Sequence, residues 1–139
     1  MKTYFFLSGL PRSGSTLLSN ILNQNPDIYC SPEQSVVCDL LSFNDKYFLS
    51  SHEQQSSTNY SGKNKVLNSI IQNFYSHRSE KYIIDKSRTW GTPYNLELIR
   101  KYITQDIKII CPVRPILEIL ASFIKLFHRS RNASIAFSI

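Results

Sequence analysis

The first 22 residues combine a short apolar strand, a glycine-containing turn and an amphipathic helix. Residues 3–7 (TYFFL) form a continuous β-prone run, which is typical of a strand buried in a parallel sheet. A turn over residues 8–15 follows, and Leu17, Leu18, Ile21 and Leu22 then recur at helical spacing. In that order, backbone N–H groups of the turn and the positive end of the helix point toward one anion. The segment predicts a phosphate-binding loop, with a tight turn that only caps the helix as the alternative.

The residues of the turn narrow the kind of anion site. Gly9 and Gly14 have the spacing of G-x-x-x-x-G-K-[ST], but Ser15 occupies the position of the Lys. A loop without that Lys is a poor clamp for a nucleoside triphosphate, so an ordinary ATPase or kinase is disfavoured. Arg12, inside the loop, supplies a replacement positive charge.

Strand and helix patterns alternate along the rest of the chain. We expect further strands at residues 28–30, 81–85 and 107–113, and helices near 36–48, 66–74, 93–102 and 116–127. Residues 50–62 are polar and Ser-rich, which predicts a surface loop. The alternation indicates an α/β fold, a three-layer sandwich around a mainly parallel sheet. With 139 residues, the chain has the length of a single domain.

The excess positive charge lies in the C-terminal part of the chain. Residues 1–80 contain six basic and six acidic side chains, so the net charge of +6 belongs entirely to residues 81–139. This asymmetry suits an anionic partner. Such a partner is nucleic acid, a membrane surface or a phosphorylated small molecule. Because the basic residues are scattered and not interleaved with aromatic ones, nucleic acid is disfavoured.

Apolar runs and cysteines indicate the compartment. The apolar runs are far shorter than the roughly 18–20 residues that cross a bilayer, which predicts no membrane partner, and we identify no targeting segment. The three cysteines have no paired spacing, which predicts reduced thiols and a cytoplasmic location.

Two separated motifs resemble those of one enzyme family. Residues 10–18 (LPRSGSTLL) resemble the 5′-phosphosulfate loop of sulfotransferases that use 3′-phosphoadenosine 5′-phosphosulfate, PAPS. The family's second signature, an Arg at a strand end and a Ser eight positions later, matches Arg114 and Ser122. The resemblance implies a P-loop-type fold, PAPS as sulfuryl donor, and a 3′-phosphate held by this guanidinium and hydroxyl. It also implies cofactor contacts along the loop, from Pro11, Arg12, Ser13, Gly14, Ser15 and Thr16.

Two more positions are similar to the tyrosylprotein-sulfotransferase branch and its bacterial-type relatives. Glu33 falls at the distance from Arg12 where that branch has its general base, and Lys86 follows the third strand, where it has a Lys that contacts the transferred group. The resemblance implies catalytic roles for Glu33, Lys86 and Arg12. Without it, Glu33 is a carboxylate at a helix start and Lys86 a cation at a strand end. We see no compact Asp/Glu/His cluster and expect no metal.

The chain also departs from the family. Family domains are longer, so we expect residues 1–139 to form a single sulfotransferase-like domain that corresponds to the N-terminal portion of a truncated family fold. Pro115 replaces a residue that is commonly acidic in the family. Three functions stay open: transfer of a sulfuryl group to a hydroxyl or amine, an inactive module that binds PAPS or its product, and an ATP-dependent small-molecule kinase. Trp90 is a candidate for an acceptor or adenine pocket or for the core. The acceptor is not predicted, and a homo-oligomer stays open.

Overall fold

A computed structural model describes residues 2–57 and 61–136 of the chain, with side chains up to residue 128. These residues form four strands and six helices; strands and helices alternate except between the second and third strands, where three helices follow one another. In chain order they are β1 (Thr3–Leu7), α1 (Ser15–Leu22), β2 (Ile28–Cys30), α2 (Val37–Ser50), α3 (His52–Ser56), α4 (Gly62–Phe74), β3 (Tyr82–Lys86), α5 (Pro93–Tyr102), β4 (Ile109–Ile110) and α6 (Ile116–Ala136).

The four strands form one sheet in the order β2-β3-β1-β4, and every described pairing is parallel. Leu7, at the end of β1, is opposite Lys86 of β3 and Ile110 of β4. Because the strands run in the same direction, the loops that follow them meet at one edge. Ligands of open α/β sheets bind at that edge, outside the carboxyl ends of the strands.

Helices cover both faces of the sheet, which confirms the three-layer α/β prediction. On one face, α2, α4 and α5 bury a large cluster that includes Phe6, Leu41, Ile71, Trp90 and Ile99. On the other face, α1 packs against a smaller cluster around Leu7, Cys30 and Ile84. The alternation of Phe6 and Leu7 between the two clusters follows from the two-residue period of a strand.

The fourth strand is shorter than the sequence predicts. Strand pairing covers Ile109–Ile110, whereas the pattern predicts a strand over residues 107–113. The carbonyls of Lys108 and Ile110 still accept hydrogen bonds from Phe6 and Ser8, at 3.0 Å each. Further on, Pro112 has no N–H to donate, and among the described strands β4 pairs with β1 alone.

Three helical features also differ from the prediction. The predicted surface loop at 50–62 contains a five-residue helix, α3, whose start is capped by Ser51 Oγ accepting from the Gln54 amide; residues 58–60 lie outside the described residues. On α1, Leu18 and Leu22 pack on the sheet, but Leu17 and Ile21 are 66% and 58% exposed. Helix α6 continues to residue 136 instead of ending near 127.

Candidate functional site

The turn between β1 and α1 has the backbone conformation that its glycines allow. Gly14 has φ 98° and precedes the first residue of α1, so no side chain caps the amide groups that begin this helix. Uncapped amides at a helix start are donors for an anion. Arg12 also has positive φ, 66°, which is strained for a residue with a Cβ and costs on the order of 1–2 kcal/mol.

Arg12 brings the two predicted signatures together. Its Nε donates to Ser122 Oγ at 2.9 Å, and its own carbonyl accepts from Arg114 Nη1 at 3.2 Å. These residues follow the carboxyl ends of β1 and β4, which are neighbours in the sheet. The guanidinium of Arg114 also donates through Nε to Glu118 Oε2 at 2.9 Å, an exposed ion pair between the segment that precedes α6 and the first turn of that helix.

Lys86 links β3 to the two segments beside it. Its Nζ donates to Thr16 Oγ1 at 3.2 Å and to the Pro32 carbonyl at 2.8 Å. Lys86 is itself buried. Burial lowers the pKa of Lys86, the nearby charge of Arg88 lowers it further, and Cys30 and Glu33 act in the opposite direction.

Glu33 is exposed and lies on a segment that is tied to β3. The amides of Ser31 and Ser35 donate to the carbonyls of Ile84 and Lys86, at 3.0 and 2.8 Å. These bonds hold the backbone on both sides of Glu33 against the end of β3. As a result, the carboxylate and the ammonium group of Lys86 line the same cavity.

Three cavities follow one another along this edge of the sheet. The first, about 380 Å³, is lined among others by Glu33, Lys86, Arg12 and Thr16. The second, about 200 Å³, shares Arg12 and Thr16 with the first and reaches Arg114. The third, about 280 Å³, shares Arg114 with the second and is lined also by Glu118, Ala121, Ser122 and Lys125. The three cavities adjoin one another through these shared residues, and we call them together the groove; its lining runs from Glu33 to Ser122.

Most of the loop residues that the sequence predicts face the groove. Pro11, Arg12, Gly14, Ser15 and Thr16 line its first two cavities. Ser13 lines none of the three cavities. Its hydroxyl is buried and has no hydrogen-bond partner within the described residues.

The groove also has residues that the sequence analysis missed. Leu10, Gln34 and Arg88 line the first cavity, and the Arg88 amide donates to Gln34 Oε1 at 3.0 Å. The position of Arg88, two residues after the end of β3, was a signal that could have identified it. Trp90 is fully buried in the core, so it does not line an acceptor or adenine pocket.

The described residues contain neither a metal-binding cluster nor a membrane-spanning helix. Among them, no group of three or more His, Cys, Asp and Glu side chains is arranged to hold a metal ion. None of the helices within that part of the chain is both long and apolar enough to cross a membrane.

Comparison with known proteins identifies the family of the chain. A family model described as "Sulfotransferase family" matches residues 5–137. The chain is similar to "Protein-tyrosine sulfotransferase 1" of Homo sapiens, with 35% identity over 69 residues, and of Danio rerio, with 32% over the same length. Each match covers 50% of this chain and 19% of the relative, so the matched part spans about a fifth of those proteins.

A solved structure shares the fold. The "Sulfotransferase Domain from the Synechococcus PCC 7002 Olefin Synthase" superimposes with a TM-score of 0.59 at 23% identity. The match covers 92% of this chain and 54% of that domain. The parallel sheet with helices on both faces is therefore the arrangement of a sulfotransferase domain.

Proposed function

Because the chain belongs to the sulfotransferase family, we propose that it transfers a sulfuryl group from PAPS to a hydroxyl or amine acceptor. The observation that carries the proposal is the joining of Arg12, Arg114 and Ser122 along one groove that begins at Glu33. A nucleotide with phosphate at both ends needs cations at both ends of its site, and the groove has them. We further propose that residues 1–139 supply the nucleotide-binding, N-terminal part of the family fold, with the acceptor undefined.

The residues of the groove fit such a donor. In this proposal the uncapped start of α1 and the side chains of Arg12 and Lys86, which line the first cavity, bind the 5′-phosphosulfate. Arg114 and Ser122, which line the third cavity, bind the 3′-phosphate, because a guanidinium can donate to phosphate bidentately and a hydroxyl adds a further donor. Ser15, in place of the P-loop Lys, disfavours the alternative of an ATP-dependent kinase.

Each residue has a distinct role in the proposed reaction. PAPS supplies a sulfuryl group already activated by its bond to phosphate. Glu33 accepts the proton of the acceptor, a contribution of about 10²–10⁴-fold for a well-placed base. Arg12, Lys86 and the amides of α1 stabilise the charge that develops on the departing phosphate, by analogy with phosphoryl transfer.

A binding and turnover experiment tests the proposal. Calorimetry compares adenosine 3′,5′-bisphosphate with ATP and Mg²⁺, and release of the bisphosphate from PAPS is then measured with phenol, sugar and amine acceptors. Glu33→Gln should abolish release while leaving affinity within about twofold, since uncharged Gln cannot take a proton. Glu97→Gln, an exposed carboxylate on α5, is the control.

The outcomes distinguish the three functions. Tight binding of the bisphosphate with no turnover on any acceptor supports the binding module, and preference for ATP and Mg²⁺ supports the kinase. A cytoplasmic location stays a prediction, to which the free thiols of all three cysteines add support. A homo-oligomer likewise stays a prediction.

A further inference from the structure

A buried chain of hydrogen bonds lies behind the groove. Asp85, next to Lys86 at the end of β3, is completely buried, and its carboxylate accepts from Tyr75 Oη at 2.7 Å and from Trp90 Nε1 at 2.6 Å. The same Tyr75 hydroxyl contacts Ser31 Oγ at 2.8 Å. None of these groups is used in the proposed reaction, yet the chain joins segments on either side of the first cavity.

The direction of the chain follows from counting protons. Tyr75 has one hydroxyl proton and donates it to the carboxylate of Asp85. Ser31 must therefore donate to the oxygen of Tyr75, because that oxygen has no second proton. Burial, and then the charge of Asp85, raises the pKa of Tyr75 well above its ordinary value, so the phenol keeps its proton. The hydrogen-bond chain accordingly runs from Ser31, as donor, through Tyr75 to Asp85.

One end of this chain is close in sequence to the proposed base. Ser31 precedes Pro32, whose carbonyl accepts from Lys86, and Glu33 comes next. The serine is held to β3 by its backbone amide and to the core by its hydroxyl. Burial raises the pKa of Asp85, and hydrogen bonds to its carboxylate oppose this effect. Through Tyr75 and Ser31, Asp85 is therefore linked to the segment that precedes Glu33.

The other end of the hydrogen-bond chain, at Asp85, fixes the turn after β3. Trp90 donates to Asp85 and packs edge-on against Phe6, with ring centroids 4.9 Å apart. This anchors the turn that presents Arg88 to the first cavity. Asp85 therefore connects β3 to both segments that complete the cavity around Lys86.

We infer that Tyr75 is a positioning residue, whose hydroxyl fixes the segment of Glu33 relative to Lys86 through Ser31 and Asp85. The inference rests on the proposed function, because Glu33 and Lys86 take their roles from it. Tyr75 does not line the groove, so it acts through Ser31. A displacement of about 1 Å at a reacting group is enough to cost on the order of 10²-fold in rate.

The experiment compares two buried tyrosines. Tyr75→Phe removes the hydroxyl that bridges Asp85 and Ser31 and keeps the ring in the core. Tyr102→Phe is the matched control, because Tyr102 is also buried and its hydroxyl donates to a buried carboxylate, Asp45, away from the groove. Turnover is expressed per binding site for adenosine 3′,5′-bisphosphate, so a loss of folded protein does not register as a loss of rate.

Two measurements then decide the inference. In Tyr75→Phe we expect kcat per site to fall at least about tenfold, with nucleotide affinity unchanged, and neither quantity to change in the control. We also expect amide hydrogen exchange in residues 31–36 to become about tenfold faster in Tyr75→Phe but not in Tyr102→Phe. Ser31→Ala, which removes the other partner of the same bond, should reproduce both effects.

The outcomes separate the inference from the function on which it rests. A wild-type chain that consumes no PAPS overturns the proposed function, and the exchange rates then decide whether Tyr75 holds the segment. Equal exchange and equal kcat in the two tyrosine variants overturn the inference even if the enzyme is active. A fall in kcat that Ser31→Ala does not reproduce also overturns it, because the effect would not pass through Ser31.

Discussion

Replacing Arg114 with Ala perturbs one end of the proposed nucleotide site and leaves the other end in place. Within the described part of the chain, the side chain of Arg114 makes two hydrogen bonds, to the carbonyl of Arg12 in the loop and to the carboxylate of Glu118 on α6. Its partner Glu118 is 56% exposed, so their ion pair contributes only about 0–1 kcal/mol. We therefore expect the variant to fold normally.

The expected loss of affinity depends on the ligand. A charge-assisted hydrogen bond to a phosphate contributes about 1.5–3 kcal/mol, which corresponds to about 10–150-fold weaker binding of adenosine 3′,5′-bisphosphate. Loss of the bond to the Arg12 carbonyl loosens the loop for every ligand, by about 1 kcal/mol or fivefold at most. 5′-AMP lacks the 3′-phosphate, so its binding should decrease only by this second, common factor.

Calorimetry on both ligands and both proteins gives the ratio that matters. The affinity for the bisphosphate relative to 5′-AMP should fall at least about tenfold in Arg114→Ala. Arg100→Ala, which removes an exposed positive charge from α5 outside the groove, should leave that ratio unchanged. Equal losses for the two ligands would show that Arg114 supports the loop and does not bind the 3′-phosphate.

Three further predictions concern stability. Arg12→Gly should be about 0.5–1 kcal/mol more stable than Arg12→Ala in denaturant unfolding, because only Gly adopts the positive φ of 66° without strain. Both variants lose the guanidinium, so its hydrogen bond does not affect the comparison. Equal stabilities would show that the backbone of Arg12 is not strained. Gly91→Ala should lower Tm by a few degrees, since its Cβ would lie 3.3 Å from the bonded Ser8 hydroxyl, and an unchanged Tm would contradict this. Burial tends to raise the pKa of Asp45, but hydrogen bonds from Tyr102, Tyr94 and Lys101 leave this pKa below its ordinary value. The ionised carboxylate therefore stabilises the fold above about pH 4, and this stabilisation disappears as the pH falls. In Asp45→Asn, the free energy of unfolding measured with denaturant should decrease less between neutral and acid pH than in the wild type.

The elements near the N-terminus could be predicted because their signals are local. Phe6 and Leu7, at the end of β1, are buried on opposite faces of the sheet, and Gly14 has the left-handed conformation at the uncapped start of α1. The nearness of Arg12 and Arg114 was also predictable, since loops after parallel strands share one edge. It required the family resemblance, however, to select this Arg among the ten basic residues of the C-terminal part.

Other features depend on tertiary packing and have no sequence signal of their own. The pattern of α1 does not reveal that Leu18 faces the sheet while Leu17 stays exposed. Tyr75 reads as an ordinary apolar residue at a helix end, and its bond to Asp85 exists only once α4 lies against β3. Trp90, next to a glycine, suited a pocket as well as the core until Phe6 and Asp85 were found around it.

The distribution of charge acquires a physical meaning once the groove is known. Among the residues whose side chains the structure describes, five cationic ones line the three cavities of the groove, against two carboxylates, Glu33 and Glu118. The five are Arg12, Lys86, Arg88, Arg114 and Lys125. Four of them belong to residues 81–139, where the whole net charge of +6 resides. A cleft lined by one sign of charge raises the local concentration of an oppositely charged ligand, so the asymmetry favours capture of a polyanionic nucleotide along the groove. Because such steering is screened by salt, the association rate of the bisphosphate should decrease with ionic strength more steeply than that of 5′-AMP.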